Sequence, residues 1–447
     1  VTSDLIKKIQ LAANKSVQSS FRHKLGITLA SLFLSLTGLG QEIRDSLPDG
    51  TEGEIFTFPA NDTVKQSWNE KRWRLFKGRR TTFKLGAAFL YEYAAFFQDQ
   101  NAKAQMDSLG TPVKDQFKVR DFRVLVSGEF KTKRFISWRA GIMYDGASDS
   151  WLVRETGFMV GVPEINSMFF VGRTKEGFSM SKVMNGYAGW ALERQMAIDV
   201  IPILADGLKW MAYLPKSRLF WNLGVYTDWL SKGQSFSTYS SQVDVRAGWL
   251  PVFSQQNNKV LHLGFNYRYG KVAGDQIQLR SKPEANPAPY FITTGNFTTD
   301  HSNHYGYEIY YQTGRWMMGS EYYWHHFNSA SENNPLFHGG EIMLSYIFTG
   351  ESRKYSTSTS IFGFVPVKKS VFKGGLGEIE GLLRFTMFDL NGGNIQGGKF
   401  WRFTPMLNWY LSPELRFELA YGYGVLDRFG LKGTTQFFQS RIQIAIL

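Results

Sequence analysis

Between Trp401 and Tyr423 the chain alternates with a period of two, and its two faces differ in kind. Trp401, Phe403, Pro405, Leu407, Trp409 and Leu411 fall on one face; Arg402, Thr404, Met406, Asn408 and Tyr410 fall on the other. Beyond Ser412-Pro413 the pattern resumes, with Leu415, Phe417, Leu419, Tyr421 and Tyr423 against Glu414, Arg416, Glu418, Ala420 and Gly422. Successive side chains of a strand point to opposite sides of a sheet, so this is a β-hairpin with one aromatic face and one polar, charged face. A water-soluble sandwich has the same alternation. What separates the two architectures is how often the pattern recurs and what precedes it.

It recurs along most of the chain: at 83–93, 121–130, 136–145, 219–229, 243–249, 261–268, 315–325, 341–348, 379–387 and 438–446. Weaker runs lie near 152–161, 167–174, 289–297, 305–313 and 357–365. The count is roughly fifteen to seventeen strands, and bacterial outer-membrane barrels take even numbers, which selects sixteen. Strands of about ten residues suit a tilted crossing of a bilayer. The expectation is an all-β fold, a transmembrane antiparallel up-and-down β-barrel of about 16 strands. No run of about 20 apolar residues spans as a helix, a test that a barrel escapes because only alternate residues need be apolar. The 13 Trp, 21 Tyr and 37 Phe gather toward strand ends, as interfacial girdles do. Two stretches break the rhythm. Lys175 to Leu214 reads as one long polar, Met-rich loop, and Arg280 to Pro289 as a proline-rich loop.

Near the start, Arg22, His23 and Lys24 lead into an apolar run from Leu25 to Leu39, with Gly38 and Gly40 before Gln41. That is the charged, apolar and small-residue order of a secretory signal. The domain reading is an N-terminal extension plus signal peptide at 1–40, a polar arm at 41–78 and the barrel at 79–447. The formal charge is +13, and residues 41–447 keep 46 basic and 37 acidic residues, net +9. In an exported chain such a balance points to anionic solutes or surfaces, not to nucleic acid. Zero Cys excludes disulfide, thiol and Cys-zinc chemistry.

Parity assigns Arg123, Arg139, Arg173, Arg246, Arg268, Arg315, Arg384, Arg402, Arg416 and Arg441 to the polar face. With Lys175 they are the candidate anion-binding, pore-lining residues, because guanidinium forks hydrogen-bond oxyanions and basic rings favour anions in pores. Glu92, Asp121, Asp244, Glu308, Glu321, Glu341, Glu380 and Glu418 share that face. Cross-strand pairing with them would brace the wall and weaken the field. His301, His304, His325 and His326 have no carboxylate at a diagnostic spacing, so no metal is expected. Gly374-Gly375-Leu376-Gly377 lies between strands as a turn, and no catalytic constellation or cofactor motif is present.

Gly172-Arg173-Thr174-Lys175-Glu176-Gly177-Phe178-Ser179-Met180, followed by Glu193-Arg194, resembles the phosphate-selective porin O and P family. Further matching segments are 348–355, Asp389-Leu390-Asn391-Gly392-Gly393 with Gly397-Gly398, and Leu407-Asn408-Trp409-Tyr410-Leu411-Ser412-Pro413, before a closing strand with Arg441. The resemblance runs in order from about residue 80 to the C-terminus. It implies a sixteen-stranded, trimeric outer-membrane channel of a Gram-negative bacterium for phosphate-like anions, guided by arginines and lysines. Gly177 stands where the family usually has Pro, which is expected to loosen that turn, and Leu447 stands where an aromatic commonly ends such barrels.

The resulting expectation is a non-enzymatic outer-membrane porin that passes small anions, with phosphate or polyphosphate foremost, in contact with outer-membrane lipid and assembled as a homotrimer. The alternatives are a weakly selective general porin, an adhesin or enzyme carried on a barrel, and a soluble β-sandwich lectin.

Overall fold

The computed structural model describes residues 74–230, 232 and 238–447. The secretory signal and all but the end of the polar arm fall outside them. Sixteen antiparallel strands close on themselves. They are β1 (Thr82–Gln98), β2 (Gln116–Glu129), β3 (Ile136–Asp145), β4 (Ser150–Val153 and Thr156–Val162, one strand interrupted), β5 (Ser167–Thr174) and β6 (Ala205–Leu214). There follow β7 (Leu219–Thr227), β8 (Tyr239–Ser254), β9 (Lys259–Val272), β10 (His301–Thr313) and β11 (Trp316–Phe327). The last are β12 (Leu336–Ile347), β13 (Glu378–Gly392), β14 (Ile395–Tyr410), β15 (Leu415–Arg428) and β16 (Leu431–Ile446). Each pairs with its sequence neighbour, and β1 closes the ring on β16 from Ala87↔Ile446 to Gln98↔Thr435. The ladder thereby runs round the ring with a few local register shifts, and closure of this kind leaves no open edge, which is what permits a sheet to sit in hydrocarbon.

The aromatic faces point outward. Phe403, Leu407, Tyr421 and Ile442 are each more than 40% exposed, while Arg402, Asn408, Arg416 and Glu418 on the alternate positions are buried inside the ring. A soluble core would invert that assignment.

Three expectations are corrected. The loop begun at Lys175 ends before Leu214: Ala205–Leu214 is strand β6, hydrogen-bonded to β5 and β7. Its alternation is hard to read because Asp206 and Gly207 open it and Met and Tyr occupy its inner face. The weak runs near 289–297 and 357–365 are not barrel strands. Ile292–Thr298 pairs with Gln276–Ser281 as a hairpin within the β9–β10 connection, and Ile361–Phe362 pairs with Tyr355–Ser356 within the β12–β13 connection. Among the described residues the sheet also includes Leu75–Lys77, ahead of the boundary at 79, paired with Thr82–Lys84.

The two ends of the barrel differ. At one end, here the loop end, the connections 99–115, 175–204 and 273–300 are long, and 99–115 holds helix α1 (Gln100–Ser108), capped by Asp99. At the other, the turn end, connections such as 215–218 and 314–315 are short, and both β1 and β16 terminate there. Only 348–377 is long at that end. Residues 196–201, the 276–298 hairpin and Met106 of α1 form an apolar cluster with the inward Phe327, Phe337, Phe388, Phe400 and Phe437. Part of the lumen is therefore a packed protein interior.

Candidate pore constriction

The 175–204 loop crosses the lumen and is held on both sides. On the β8–β11 side the wall accepts its backbone N–H groups: Gly177 donates to Asp244 Oδ2 (2.9 Å), Ser179 to Asn266 Oδ1 (2.9 Å) and Ser181 to Glu321 Oε1 (2.9 Å). Met180–Val183 is a short helical turn with Ser179 as its N-cap, so Ser181 N–H is one of the first-turn donors that a helix leaves without an internal partner. Glu321 also accepts from the hydroxyls of Ser179, Tyr310 and Tyr323 and from Gln195. Gly177 does not loosen the turn. It makes a hydrogen bond that a Pro lacks the hydrogen for, and a Cβ there would meet Asn222 at 2.7 Å.

On the opposite side the wall donates to the loop's carbonyls. Gln443 reaches Tyr187 O, Arg353 reaches Ala188 O, Arg416 reaches Gly189 O and Asn408 reaches Trp190 O, at 2.7–3.0 Å. Arg441 continues the row to Leu192 O, and Arg384 to Glu193 O at 2.9 Å. The same guanidiniums are ion-paired: Arg353 with Glu380 (2.8 Å), Arg384 with Glu341 (2.6 Å), Arg416 with Glu418 (2.7 Å), and Arg441 with Glu92 and Glu193.

Of the sequence candidates, Arg384, Arg416 and Arg441 thus lie on the inner face but hold the loop. Arg402 donates to Pro283 O (2.7 Å) and to Gln439, fixing the second inward loop. Arg246 and Arg268 are fully buried and pair with Glu308 and Glu176, each through two guanidinium nitrogens. Lys175 is buried against Met184 O, and burial next to Arg194 draws its pKa down. Arg173 is fully buried, pairing with Asp206 at 2.9 Å and donating to Val153 O at 2.8 Å. Arg315 occupies the two-residue turn between β10 and β11, at the rim. Arg123 and Arg139 remain on the open inner wall. Arg123 pairs with Asp121 under the Tyr187 ring, and Arg139 makes no ion pair among the described residues.

Other cations join these two. A register shift between Leu90 and Tyr91 marks a bulge at Arg120, which turns both Arg120 and Asp121 inward. Arg120 pairs with Glu193 (2.7 Å) and Asp145 (3.0 Å). Burial works against the Glu193 carboxylate, but Arg120 and Arg441 outweigh it and hold its pKa down. Arg154 enters at the interruption of β4, and Arg194 from the loop donates to Ser181 O. Lys282 comes from the second inward loop, and its pKa is lowered to about 8 by burial and by Lys118 and Arg120 beside it. Strict alternation misses Arg120, because the bulge inverts parity there. Nothing periodic could have found Arg194 or Lys282.

Register orders these groups along the wall. Lys118 stands opposite Glu92 near the loop end, and Arg123 opposite Ala88 at mid-height. Lys84 and Arg139 flank Ser127 nearer the turn end. From Lys118 to Ser127 the strand rises about 30 Å. Beside this track, between loop and wall, lies a partly open recess lined by five arginines (120, 123, 194, 384 and 441) against three carboxylates (121, 193 and 341). His304 and His325 meet through their Nδ1 atoms at 2.8 Å with Ser302 on the first ring, and no cluster able to hold a metal occurs among the described residues.

The family model of phosphate-selective porin O and P matches residues 91–430. The chain belongs to this family. A Caulobacter vibrioides protein described as uncharacterized is 30% identical over 189 residues, 41% of this chain and 37% of that relative. The match therefore spans well under half of the curated relative's length. Among solved structures, OmpF of Salmonella typhi, in complex with daunomycin, superposes with a TM-score of 0.53 at 9% identity, covering 83% of this chain and 100% of that one. OmpT of Vibrio cholerae gives 0.52 at 11% identity over 83% and 99%. The outer-membrane channel DcaP of Acinetobacter baumannii gives 0.52 at 8% over the same shares. At these identities the likeness concerns the barrel alone. With the family match, it makes this chain a β-barrel member of the porin O and P family.

Proposed function

We propose that the protein passes small anions, phosphate or polyphosphate foremost, by diffusion along the β1–β4 wall of the lumen in the outer membrane of a Gram-negative bacterium. The observation that carries the reading is the cation track: Lys118, Arg120, Arg123, Arg139 and Lys84 follow one another along one side of the passage, joined by Arg154, Arg194 and Lys282. A file of cations in a wall of low dielectric lowers the cost of moving an anion and raises it for a cation. The family description, which names phosphate, supports the choice of solute. A homotrimer remains part of the proposal.

The reversal potential across a planar bilayer in a potassium chloride gradient tests the charge preference. Anion preference is expected, and a ratio favouring cations would sink the reading. Phosphate should also block chloride current at concentrations well below that of chloride. A weakly selective porin is the second reading, favoured by the carboxylates that neutralise most inner arginines. It predicts no block by phosphate. Trimer-sized, heat-modifiable bands that conduct would support the assembly, and a monomer that conducts would exclude it.

A further inference from the structure

The two rims of the barrel carry different charge. Around the turn end the exposed side chains include Lys77, Arg80, Lys133, Lys216, Arg315 and Lys369. The exposed acids there are Glu129 and Glu164, and Glu164 is paired with Arg134 at 2.9 Å. The loop-end rim interleaves lysines with exposed Asp107, Asp115, Asp149, Asp275 and Asp300.

At the turn end the long β12–β13 connection also changes character. Its first half folds into the lumen, where Arg353 meets Glu380, but residues 366–377 turn back over the rim. Trp409 Nε1, on the outward face, donates to Leu376 O (2.8 Å), and Val371 N donates to Leu411 O (3.0 Å). Leu376 is 74% exposed and Phe372 71%. They extend an outward row in which the rings of Trp316 and Tyr346 lie 4.4 Å apart and those of Tyr346 and Phe348 5.2 Å. Aromatic rows at this level mark the headgroup region of a bilayer, and large exposed apolar groups continuous with a lipid-facing belt have lipid as their natural cover. Lysine and arginine beside them set ammonium and guanidinium groups where phosphates lie.

We propose that residues 366–377, with the basic rim around them, form a foot that docks on anionic phospholipid headgroups of the leaflet at the turn end. Phe372 and Leu376 enter the headgroup boundary, and Lys369 and Arg315 meet the phosphates. Short turns mark the periplasmic side of outer-membrane barrels, so this is the periplasmic leaflet. The inference rests on the membrane-spanning reading above.

The chain has no Cys, so a single introduced thiol reports one site. Bimane would be attached at Phe372→Cys, at Ile442→Cys on the outward belt and at Lys103→Cys on α1, with each protein in liposomes containing brominated phosphatidylcholine or brominated phosphatidylglycerol. The Phe372 probe should be quenched comparably to the Ile442 probe, and more by phosphatidylglycerol than by phosphatidylcholine, with a local enrichment of about fivefold, the factor one basic residue near a charged membrane surface gives. Lys369→Gln with Arg315→Gln should erase that lipid preference at 372 and leave the Ile442 probe unchanged. Quenching at 372 no greater than at 103, with 442 quenched, would overturn the foot while sparing the membrane reading; that outcome includes cover by a neighbouring protein. Equal quenching by the two lipids would overturn the headgroup assignment. An unquenched Ile442 probe would overturn the membrane reading and the foot together.

Discussion

On one side of the lumen, guanidiniums from β13, β15, β16 and the 348–377 connection close onto carboxylates and onto the carbonyls of residues 188–193. On the other, Arg139 on β3 is exposed and makes no ion pair among the described residues, and Arg194 enters from the loop, donating to Ser181 O. The residue type is the same, and the consequence is not. A guanidinium whose five N–H groups are already directed at fixed oxygens has little left for a passing solute, whereas one facing water in a narrow passage imposes its field on whatever moves past. Arginine on the inner face is therefore a poor indicator of selectivity until its partners are known.

The most disruptive test of this division removes a bracing arginine. Arg441→Met leaves Glu92 buried without its counter-ion and frees Leu192 O and Glu193, so a loss of about 3–5 kcal/mol is expected. It should be read as a lower temperature for the heat-modified gel shift, together with noisier single-channel current as the loop loosens. If Arg441→Met matched the parent in both, the bracing role would be wrong. Gly177→Pro should cost less, about 1–3 kcal/mol, through the lost Asp244 bond and contact with Asn222, and the same gel assay reads it. On the open wall the signature reverses. Arg139→Gln should alter stability by no more than about 0.5 kcal/mol. Its anion-to-cation permeability ratio should nevertheless fall, by up to about thirtyfold, since a unit charge about 4 Å from an ion in water is worth about 1 kcal/mol, with opposite sign for the two ions. An unchanged reversal potential would remove Arg139 from the track.

The barrel was legible because its physics is periodic. Outward Leu407, Trp409 and Tyr421 are exposed apolar side chains on alternate positions, and no tertiary detail is needed to read them. The same rule reached Arg123 and Arg139. It also picked out Arg173, which Asp206 and Val153 O engage and which is fully buried. It put Arg315 in a strand when the tight turn begins at Gly314. It also passed over Arg120, because one inserted residue inverts parity. What distinguishes a bracing arginine from an open one lies at longer range: Arg416 acts on Gly189 and Arg441 on Leu192, more than 200 residues away. Alternation holds no record of such contacts.

The smallest effect is expected from Lys282, and it separates the open track from the braced wall by pH alone. Burial and the neighbouring Lys118 and Arg120 bring its pKa to about 8, so it is charged below that pH and neutral above it. Anion preference should accordingly be complete near pH 6 and decline between about pH 7 and pH 9, as one charge at the loop-end mouth is lost. Arg194 is also lowered, to about 10, and stays protonated throughout that window. The step in reversal potential should shrink in Lys282→Gln, which should also be less anion-selective than the parent at pH 6. A step of undiminished size in Lys282→Gln would assign the titration to another group. Its absence in the parent would mean that Lys282 lies outside the conducting path, and that the track begins at Lys118.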